Sequence, residues 1–255
     1  AISFVGTPSH GNLPLLCNTN TSTGQTVQVR DNSSYIKFSY LNVCNKNING
    51  AGFFIGSYNY YNVHHISISF SIIHDNGGSR IQMEFADHVT ARNNKLYRNG
   101  KPATSASTSA ISFLAPIDDG MSGGCYDLPD DMVASYGNPN SQHLCIVRNN
   151  IYDDYKGQII TSDGNGIITD DGNCSQFPAP NNACNGVSYT EGWLIAENTI
   201  WYVDGRAIHA FSTSPTNGTM YIWRNVVYAS CRGGSPCSSS SGEIDVLGKV
   251  GYPNI

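Results

Sequence analysis

The sequence predicts an all-β fold in which short parallel strands stack as the coils of a solenoid, and two recurring phrases predict it. The first phrase is an asparagine, an apolar residue two places on, and then an aromatic ring. Its clear copies are Asn94-Lys-Leu-Tyr97, Asn149-Asn-Ile-Tyr152, Asn198-Thr-Ile-Trp201 and Asn225-Val-Val-Tyr228. The second phrase is one or two small residues followed by a short apolar strand; its copies begin at Ala51, Ser79, Ser109, Asn165, Arg206 and Gly242. Self-similarity at intervals of roughly 20–50 residues indicates stacked units.

The spacing of the asparagine phrase sets the order of the elements. Degenerate copies begin at Leu41 and Ser71, so the phrase begins at 41, 71, 94, 149, 198 and 225. A unit of about 25 residues cannot bury its own apolar face, whereas stacking one unit on the next buries a continuous column. Each asparagine is expected at a bend, in the left-handed conformation, bonded to its stacked twins. The longest intervals predict two loop insertions, at 115–142 and 171–191, each stapled by a cysteine pair.

Alignment of the second phrase across the coils predicts which side chains point inward. The inward file is Ile81, Ile111, Ile167, Ile208 and Ile244. Because side chains alternate along a strand, the next positions point outward. They are Gln82, Ser112, Ile168, His209 and Asp245, followed two places on by Glu84, Leu114, Asp170, Phe211 and Leu247.

The composition limits the partners. Only 13% of the 255 residues are charged, the net charge is -5 and no Lys/Arg cluster occurs, which argues against a nucleic-acid partner. The 26 glycines and 15 tyrosines, with many Asn and Ser residues, are typical of secreted proteins that face sugars. No apolar run is long enough for a membrane span. One domain over 1–255 is expected, and the missing initiator Met and the end at Ile255 favour a processed or partial chain. The oligomeric state is not set by the sequence.

The eight cysteines and the sequons favour a secreted, disulfide-bonded glycoprotein. No Cys-x-x-Cys metal spacing occurs, so disulfides in an oxidising compartment are expected, although eight cysteines permit 105 connectivities. The sequence-near pairs are Cys17/Cys44, Cys125/Cys145, Cys174/Cys184 and Cys231/Cys237. The sequons begin at Asn20, Asn32, Asn173 and Asn217.

From about Ser34 to Val246, these features resemble the right-handed parallel β-helix superfamily of pectate-lyase-like secreted proteins, whose asparagine turns are of this type. The segment from Arg148 to His209 is also similar to a set of secreted bacterial β-helix proteins. The resemblance implies a right-handed parallel β-helix, and the spacing of the phrases adds the two long disulfide-stapled insertions. It does not imply one activity, since one fold hosts many.

The densest acidic segment, 163–171, is the first candidate site. Asp-Gly and Asn-Gly turn chemistry alone can explain Asp163 to Gly166. Asp170 and Asp171 are candidate calcium ligands, because calcium prefers oxygen donors, and Asp118 and Asp119 of the other insertion can complete the set. Calcium is therefore the expected cofactor, and an acidic polysaccharide lying along the strand face is the expected partner.

Two enzymatic mechanisms compete at this site. A lyase neutralises the sugar carboxylate and needs a base for the adjacent proton. The predicted catalytic residues are His209, Arg206, Asp170, Asp171 and Lys156. The predicted substrate contacts are Arg80, Gln82, Glu84 and Phe211. A hydrolase needs two carboxyl groups about 5–9.5 Å apart, which Asp163 and Asp170 do not offer on one coil. A polygalacturonase-like motif set is only partly present. We therefore favour β-elimination.

The other histidines and the aromatic residues carry weaker expectations. His64 and His65 are expected to place one ring inside and one outside the strand, in structural roles, and His88 and His143 receive no role. The candidate platforms for sugar rings are Tyr58, Tyr60, Tyr61, Trp193 and Trp201, with packing beneath loops as the alternative. The alternative function is a non-catalytic carbohydrate-binding or structural, adhesive solenoid of an extracellular assembly.

Overall fold

The strands of the second phrase and of the asparagine phrase fall into separate parallel sheets. A computed structural model describes residues 1–22, 24–56, 63–100, 108–135, 142–155, 164–170, 189, 191–213, 219–232 and 243–248, without the side chains of 133–135, 211–213 and 245–248. In this part of the chain, 21 strands form three seven-stranded sheets. Each strand pairs in parallel with strands three places away in the chain, so successive coils visit the three sheets in turn. The prediction of a parallel β-helix is confirmed.

The strands of the three sheets are as follows. Sheet 1 contains β1 (Ile2–Val5), β4 (Ser34–Ser39), β7 (Val63–Ser69), β10 (Ala86–Arg92), β13 (Gln142–Val147), β16 (Gly192–Ala196) and β19 (Met220–Trp223). Sheet 2 contains β2 (Leu15–Asn18), β5 (Asn42–Asn45), β8 (Ile72–Asn76), β11 (Lys95–Asn99), β14 (Asn150–Asp154), β17 (Thr199–Val203) and β20 (Val226–Tyr228). Sheet 3 contains β3 (Val27–Val29), β6 (Phe53–Gly56), β9 (Ile81–Glu84), β12 (Ile111–Leu114), β15 (Ile167–Asp170), β18 (Ile208–Thr213) and β21 (Ile244–Gly248).

The predicted inward file is present in sheet 3. Ile111 pairs with Ile81 and Ile167, and Ile167 pairs with Ile208; all four are fully buried. Ile244 continues the register but is 44% exposed. The row expected to face outward is also covered, since Gln82, Ser112, Ile168 and His209 are buried. The register prediction is thus confirmed, and sheet 3 offers little open surface along that row.

The asparagines of the first phrase form a hydrogen-bonded ladder at the bend between sheets 1 and 2. The side-chain amide of Asn94 donates to Asn149 Oδ1 at 3.1 Å, Asn149 donates to Asn198 at 3.0 Å, and Asn198 donates to Asn225 at 2.9 Å. The left-handed residue of the bend is one position earlier than expected, as at Arg148 (φ 54°). The asparagine therefore acts through its side chain and leaves the strained backbone position to its neighbour.

Replacing Asn149 by Ala is expected to lower the free energy of unfolding by about 1–3 kcal/mol, because it leaves buried polar groups without a partner. Asn149 Oδ1 accepts from the backbone N–H of Asn94 at 3.1 Å, and its amide donates to the carbonyl of Ala91 at 2.9 Å. Chemical denaturation measures the loss. The adjacent exposed Asn150→Ala is the control, with a change within about 0.5 kcal/mol. Equal effects of the two variants would show that the ladder contributes nothing.

The aromatic residues of the first phrase stack on one another along sheet 2. The ring centroids are 5.2 Å apart for His74 and Tyr97 and 5.2 Å for Tyr97 and Tyr152. Trp201 lies 4.5 Å from Tyr152 and 5.8 Å from Tyr228, nearly parallel to both. Both faces of the indole are therefore covered by protein rings. Trp201 stacks within the protein and has no free face for a sugar.

The first insertion leaves sheet 3 after β12 and returns at β13, as predicted, and covers the outer face of sheet 1. We call residues 115–135 the clamp loop; it ends in α1 (Asp130–Ser135). The Cys125–Cys145 disulfide ties it to β13. Its Asp127 carboxylate accepts hydrogen bonds from β4, β7 and β10. The donors are Lys37 Nζ at 2.5 Å, Ser67 Oγ at 2.9 Å and Arg92 Nη2 at 3.2 Å. One disulfide and three hydrogen bonds therefore fix this loop against the sheet.

The second insertion follows β15 and ends before β16, also as predicted, but only Tyr189 and Glu191 of it are described. Of the predicted disulfides, Cys17–Cys44 and Cys125–Cys145 are confirmed. Cys231 is disulfide-bonded as well, while Cys174, Cys184 and Cys237 lie outside the described residues. The sequon residues Asn20 and Asn32 are exposed; Asn173 and Asn217 lie outside the described part. No described helix is long and apolar enough to cross a membrane.

Candidate functional site

Imidazoles and carboxylates converge where β7, β10 and β13 begin, beneath the clamp loop. Four of the seven histidines of the chain lie there with two buried aspartates. We call this set the histidine cluster; it consists of His64, His65, Asp87, His88, Asp119 and His143. The sheet-1 strands place five of these residues, and the clamp loop contributes Asp119.

A column of stacked rings forms the centre of the cluster. The ring centroids are 4.5 Å apart for Tyr35 and His65, 4.1 Å for His65 and His88, and 3.7 Å for His88 and His143. Tyr35, His65 and His88 have φ angles of 56°, 56° and 47°, in the left-handed region. Such residues cost of order 1–3 kcal/mol each and concentrate at functional sites.

The left-handed backbone at His65 also corrects the expectation for the histidine doublet. Consecutive side chains of a regular strand point to opposite faces, but the turn at His65 brings its ring to the same side as that of His64. Their Nδ1 atoms are only 2.7 Å apart. Both rings therefore face the cluster.

Asp87 is the buried hub of the cluster. Its carboxylate accepts hydrogen bonds from His143 Nδ1 at 3.0 Å, from the Tyr189 hydroxyl at 2.5 Å and from the backbone N–H of Asp119 at 3.1 Å. Burial opposes its ionisation, but the hydrogen bonds from His143 and Tyr189 outweigh burial and lower the pKa of Asp87. The converse holds for His143: burial opposes its charge, and the bond to Asp87 raises its pKa. Asp87 and His143 therefore form an ion pair.

The pKa values of the two inner rings of the column, His65 and His88, are shifted in the opposite direction to that of His143. Burial lowers the pKa of His65 to about 4, with His88 and His64 adding to the effect. Burial also lowers the pKa of His88 against the pull of Asp87. His88 Nδ1 lies 3.2 Å from Asp119 Oδ2, and its buried Nε2 has no hydrogen-bond partner among the described residues. Burial thus favours the neutral form of His65 and His88, whereas Asp87 favours the charged form of His143.

The mouth of the cluster is lined by groups that reach solvent. Tyr35 is 40% exposed. The ring of Tyr126, from the clamp loop, lies 5.2 Å from His65 and 6.0 Å from Tyr35, and Lys37 Nζ is 5.3 Å from the Tyr126 ring. Burial raises the pKa of Tyr126, although Lys37 opposes this. Two phenols, one imidazole and one ammonium group therefore meet at the opening.

Comparisons with protein families, with curated proteins and with solved structures give no match to this chain. The parallel β-helix is established by the strand pairing. Because one fold hosts many activities, the function has to be argued from the chemistry of the histidine cluster.

The predicted metal ligands are only partly brought together. Asp119 belongs to the histidine cluster, and its side chain is fully buried. Asp118 is exposed, yet one of its oxygens lies within 4.8 Å of carboxylate oxygens of Asp87 and Asp119. Asp170 ends β15, and its carbonyl accepts from the N–H of Ala115 at 3.0 Å. Asp171 lies outside the described residues, so the structure places Asp118 and Asp119 with Asp87 and histidines.

The predicted catalytic residue His209 lies in β18 of sheet 3, Arg206 lies two residues before that strand, and neither belongs to the cluster. His209 pairs in register with Ile168 of β15. It is 7% exposed and Arg206 is 9% exposed. Lys156 lies outside the described residues. The predicted sheet-3 site is therefore mostly covered where it can be described.

The predicted substrate contacts are likewise buried where they are described. Gln82 Nε2 donates to Glu84 Oε1 at 2.6 Å, and both residues are buried. The side chain of Phe211 is outside the described part. Of the predicted sugar platforms, Trp193 is 2% exposed and packs in the core, and Tyr58, Tyr60 and Tyr61 are outside the described part. Gln82, Glu84 and Trp193 therefore offer little open surface to a sugar.

Arg80 corrects the expectation of a substrate contact most directly. Its side chain is fully buried, and its Nη1 lies 2.7 Å from Asp154 Oδ1, which is fully buried too. Burial raises the pKa of Asp154 to about 7, and Arg80 opposes that effect. Arg80 has no exposed surface for a substrate, and it pairs with the Asp154 carboxyl group inside the β-helix.

Proposed function

We propose that the protein is an extracellular polysaccharide-active enzyme that cleaves an acidic glycan by β-elimination at the histidine cluster. The observation that carries the proposal is the convergence of four imidazoles and two buried carboxylates at a mouth lined by phenols and an ammonium group. Solenoids present extended surfaces along which long ligands lie. The disulfide-bonded, weakly charged chain fits an extracellular setting.

The groups at the mouth match the needs of elimination from a uronic acid unit. A base removes the proton next to the sugar carboxylate, its electron pair forms a carbon–carbon double bond, and the glycosidic oxygen leaves and takes up a proton. Positive charge near the carboxylate makes the first proton more acidic. Lys37 carries positive charge there, although its Nζ also donates to Asp127. His65, Tyr35 and Tyr126 are the groups available for proton transfer. Calcium at Asp170 and Asp171 remains the proposed alternative source of charge.

Elimination is favoured over hydrolysis because of the kinds of side chain that are exposed at the mouth of the cluster. Glycoside hydrolysis needs one carboxyl group as acid and another as base or nucleophile, about 5–9.5 Å apart and both facing the sugar. Asp87 and Asp119 have fully buried side chains, and Asp87 accepts from His143 and Tyr189. Of the three clustered aspartates only Asp118 is exposed, so they do not supply two carboxyl groups that face a sugar, and the other groups at the mouth are imidazole, phenol and ammonium.

The direct test is incubation with pectate, alginate and glycosaminoglycans, each followed by ultraviolet absorbance of the unsaturated uronate product. We expect absorbance to grow on at least one of these polymers, and no signal on a neutral glucan. A flat trace on every acidic polymer, with no fall in polymer length, removes the lyase proposal.

The second candidate, a non-catalytic solenoid that binds a glycan or neighbouring chains, is favoured by the apolar first coil. Ile2, Phe4 and Leu15 are 58%, 51% and 61% exposed. Exposed apolar side chains of a coil become buried when another repeat or another surface packs against them. This candidate predicts self-association, which sedimentation velocity measures with Phe4→Ser as the dissociating variant. A monomer at all concentrations would contradict its assembly form, and affinity electrophoresis on the same polymers tests glycan binding.

A further inference from the structure

We propose that His64, His65 and Asp119 bind one divalent transition-metal ion at the mouth of the cluster, with Zn²⁺ as the probe. One ligand atom from each residue lies within 4.8 Å of the others. His64 Nδ1 and His65 Nδ1 are 2.7 Å apart, and they lie 3.4 Å and 3.8 Å from Asp119 Oδ2. Three donor atoms from two separate parts of the chain therefore surround one point.

These separations bracket the geometry that a zinc ion requires. Zinc bonds to imidazole nitrogen and carboxylate oxygen at about 2.0–2.2 Å, which places tetrahedral ligand atoms about 3.3–3.5 Å apart. One observed separation is shorter than that range, one falls in it and one is longer. Small rotations of the two imidazole rings would equalise the three.

The donor set selects the class of metal. Imidazole nitrogen suits zinc and other first-row transition metals, whereas calcium takes six to eight oxygen ligands. Two histidines and one carboxylate make three protein ligands, the number typical of zinc sites that leave a coordination position open for water or substrate. The calcium expected at Asp118 and Asp119 is therefore replaced, at Asp119, by an ion that binds nitrogen.

The backbone holds the ligands in place before any ion binds. The left-handed φ of 56° at His65 is what puts two consecutive imidazoles on one side of β7. The carboxylate of Asp119 is oriented by His88 Nδ1 at 3.2 Å, and the backbone N–H of Asp119 donates to the Asp87 carboxylate at 3.1 Å. Such outer contacts to metal ligands commonly affect affinity by 10–100-fold. The clamp loop that carries Asp119 is fixed by the Cys125–Cys145 disulfide.

The neighbouring set of Asp87, His88 and His143 also lies within metal-binding distance but carries less weight. His143 Nδ1 donates to Asp87 at 3.0 Å, and the Tyr189 hydroxyl occupies the other carboxylate oxygen. Ordinary hydrogen bonds therefore account for this set. For His64 and His65, a single shared proton is the competing explanation of the 2.7 Å contact.

The catalytic role of the ion deepens the proposed function and rests on it. Metal binding itself does not depend on the proposed function. A bound cation at the mouth would neutralise the sugar carboxylate more strongly than Lys37, because divalent ions act as Lewis acids. With His65 engaged as a ligand, the proton transfers fall to Tyr35 and Tyr126, whose rings lie 4.5 Å and 5.2 Å from the His65 ring.

The test is titration of chelator-treated full chain with Zn²⁺ by calorimetry, with Co²⁺ absorption in the visible range as a second readout. We expect one ion per chain for the wild type and at least about a hundredfold weaker binding for His64→Ala and Asp119→Asn. His10→Ala, an exposed histidine in the first coil, is the matched control and should bind as the wild type does. Thermal melting without metal checks that each variant folds. If His64→Ala does not fold, the conservative variant Asp119→Asn still tests the site.

Three results would overturn the metal site: no Zn²⁺ binding by folded wild-type protein, unchanged binding by folded His64→Ala and Asp119→Asn, or binding of Ca²⁺ in place of Zn²⁺. The shared-proton explanation predicts the first of these. The two proposals fail separately. Elimination that persists in chelator-treated protein removes the catalytic role of the ion, while stoichiometric binding without elimination on any polymer removes the lyase and leaves the metal site.

Discussion

Replacing Arg80 by Met is expected to lower the free energy of unfolding by about 3–5 kcal/mol, the cost of removing one partner of a buried ion pair. The guanidinium and the Asp154 carboxylate are both fully buried and 2.7 Å apart. Met fills most of the volume but cannot compensate the carboxyl group that remains. Chemical denaturation, with circular dichroism as the signal, measures the change.

Two further variants separate burial from charge pairing. Arg98 pairs with Asp75 at the same 2.7 Å, but the two side chains are 53% and 46% exposed. Arg98→Met is therefore expected to cost at most about 1 kcal/mol. Arg80→Met combined with Asp154→Leu should recover most of the stability, because a well-packed apolar pair often replaces a buried ion pair at no cost. Equal losses for Arg80→Met and Arg98→Met would mean that burial of the pair does not govern its contribution.

The fold was predictable because the stacked coils of a solenoid require the same sequence pattern to recur along the chain. The isoleucine file at Ile81, Ile111 and Ile167 follows from aligning one phrase, since a pairing slip by one residue would turn every apolar side chain outward. The asparagine ladder follows from the other phrase. The Cys125–Cys145 disulfide joins a sequence-near pair, with one cysteine within the predicted insertion and one just after it. These features depend on short-range pattern alone.

The histidine cluster was not predicted, although the same repeat contains the signal. His65, His88 and His143 each lie six residues before the first residue of an asparagine phrase, at Ser71, Asn94 and Asn149. Counting backwards from the phrase would have stacked the three rings in one column. The prediction failed because period-2 alternation was applied to a strand whose backbone turns left-handed.

Arg80 and Asp119 show what the repeat cannot supply. Arg80 follows a small residue in the second phrase, and this pattern predicts a surface position. Its burial depends on Asp154, which lies 74 residues later in the chain. Asp119 was assigned with Asp118 to an oxygen-only calcium site, because calcium prefers oxygen donors. Its neighbours in space are imidazoles of strands β7 and β10, and the path of the clamp loop that brings them together has no repeat to predict it.

Tyr126→Phe is expected to lower kcat on the cleaved polymer by about 10²–10⁴-fold, the usual contribution of a positioned acid or base. A phenol has an ordinary pKa of about 10 and is protonated at neutral pH, and burial raises the pKa of Tyr126 further. It is therefore suited to donate a proton to the departing glycosidic oxygen. Phe keeps the ring beside His65 and Tyr35, so KM and Zn²⁺ affinity should change little. Initial rates from product absorbance over a range of polymer concentrations provide the measurement.

The controls for Tyr126→Phe distinguish the two places where chemistry can occur. Tyr202→Phe removes an equally simple hydroxyl from sheet 2, where Tyr202 is 44% exposed, and should leave kcat unchanged. His209→Ala removes the base predicted on sheet 3, and it should also leave kcat within a few-fold of the wild type. If His209→Ala abolishes turnover while Tyr126→Phe does not, elimination takes place on the sheet-3 face. The histidine cluster would then have to be explained by structure or metal binding alone, because a proton donor that can be removed without loss of rate takes no part in the reaction.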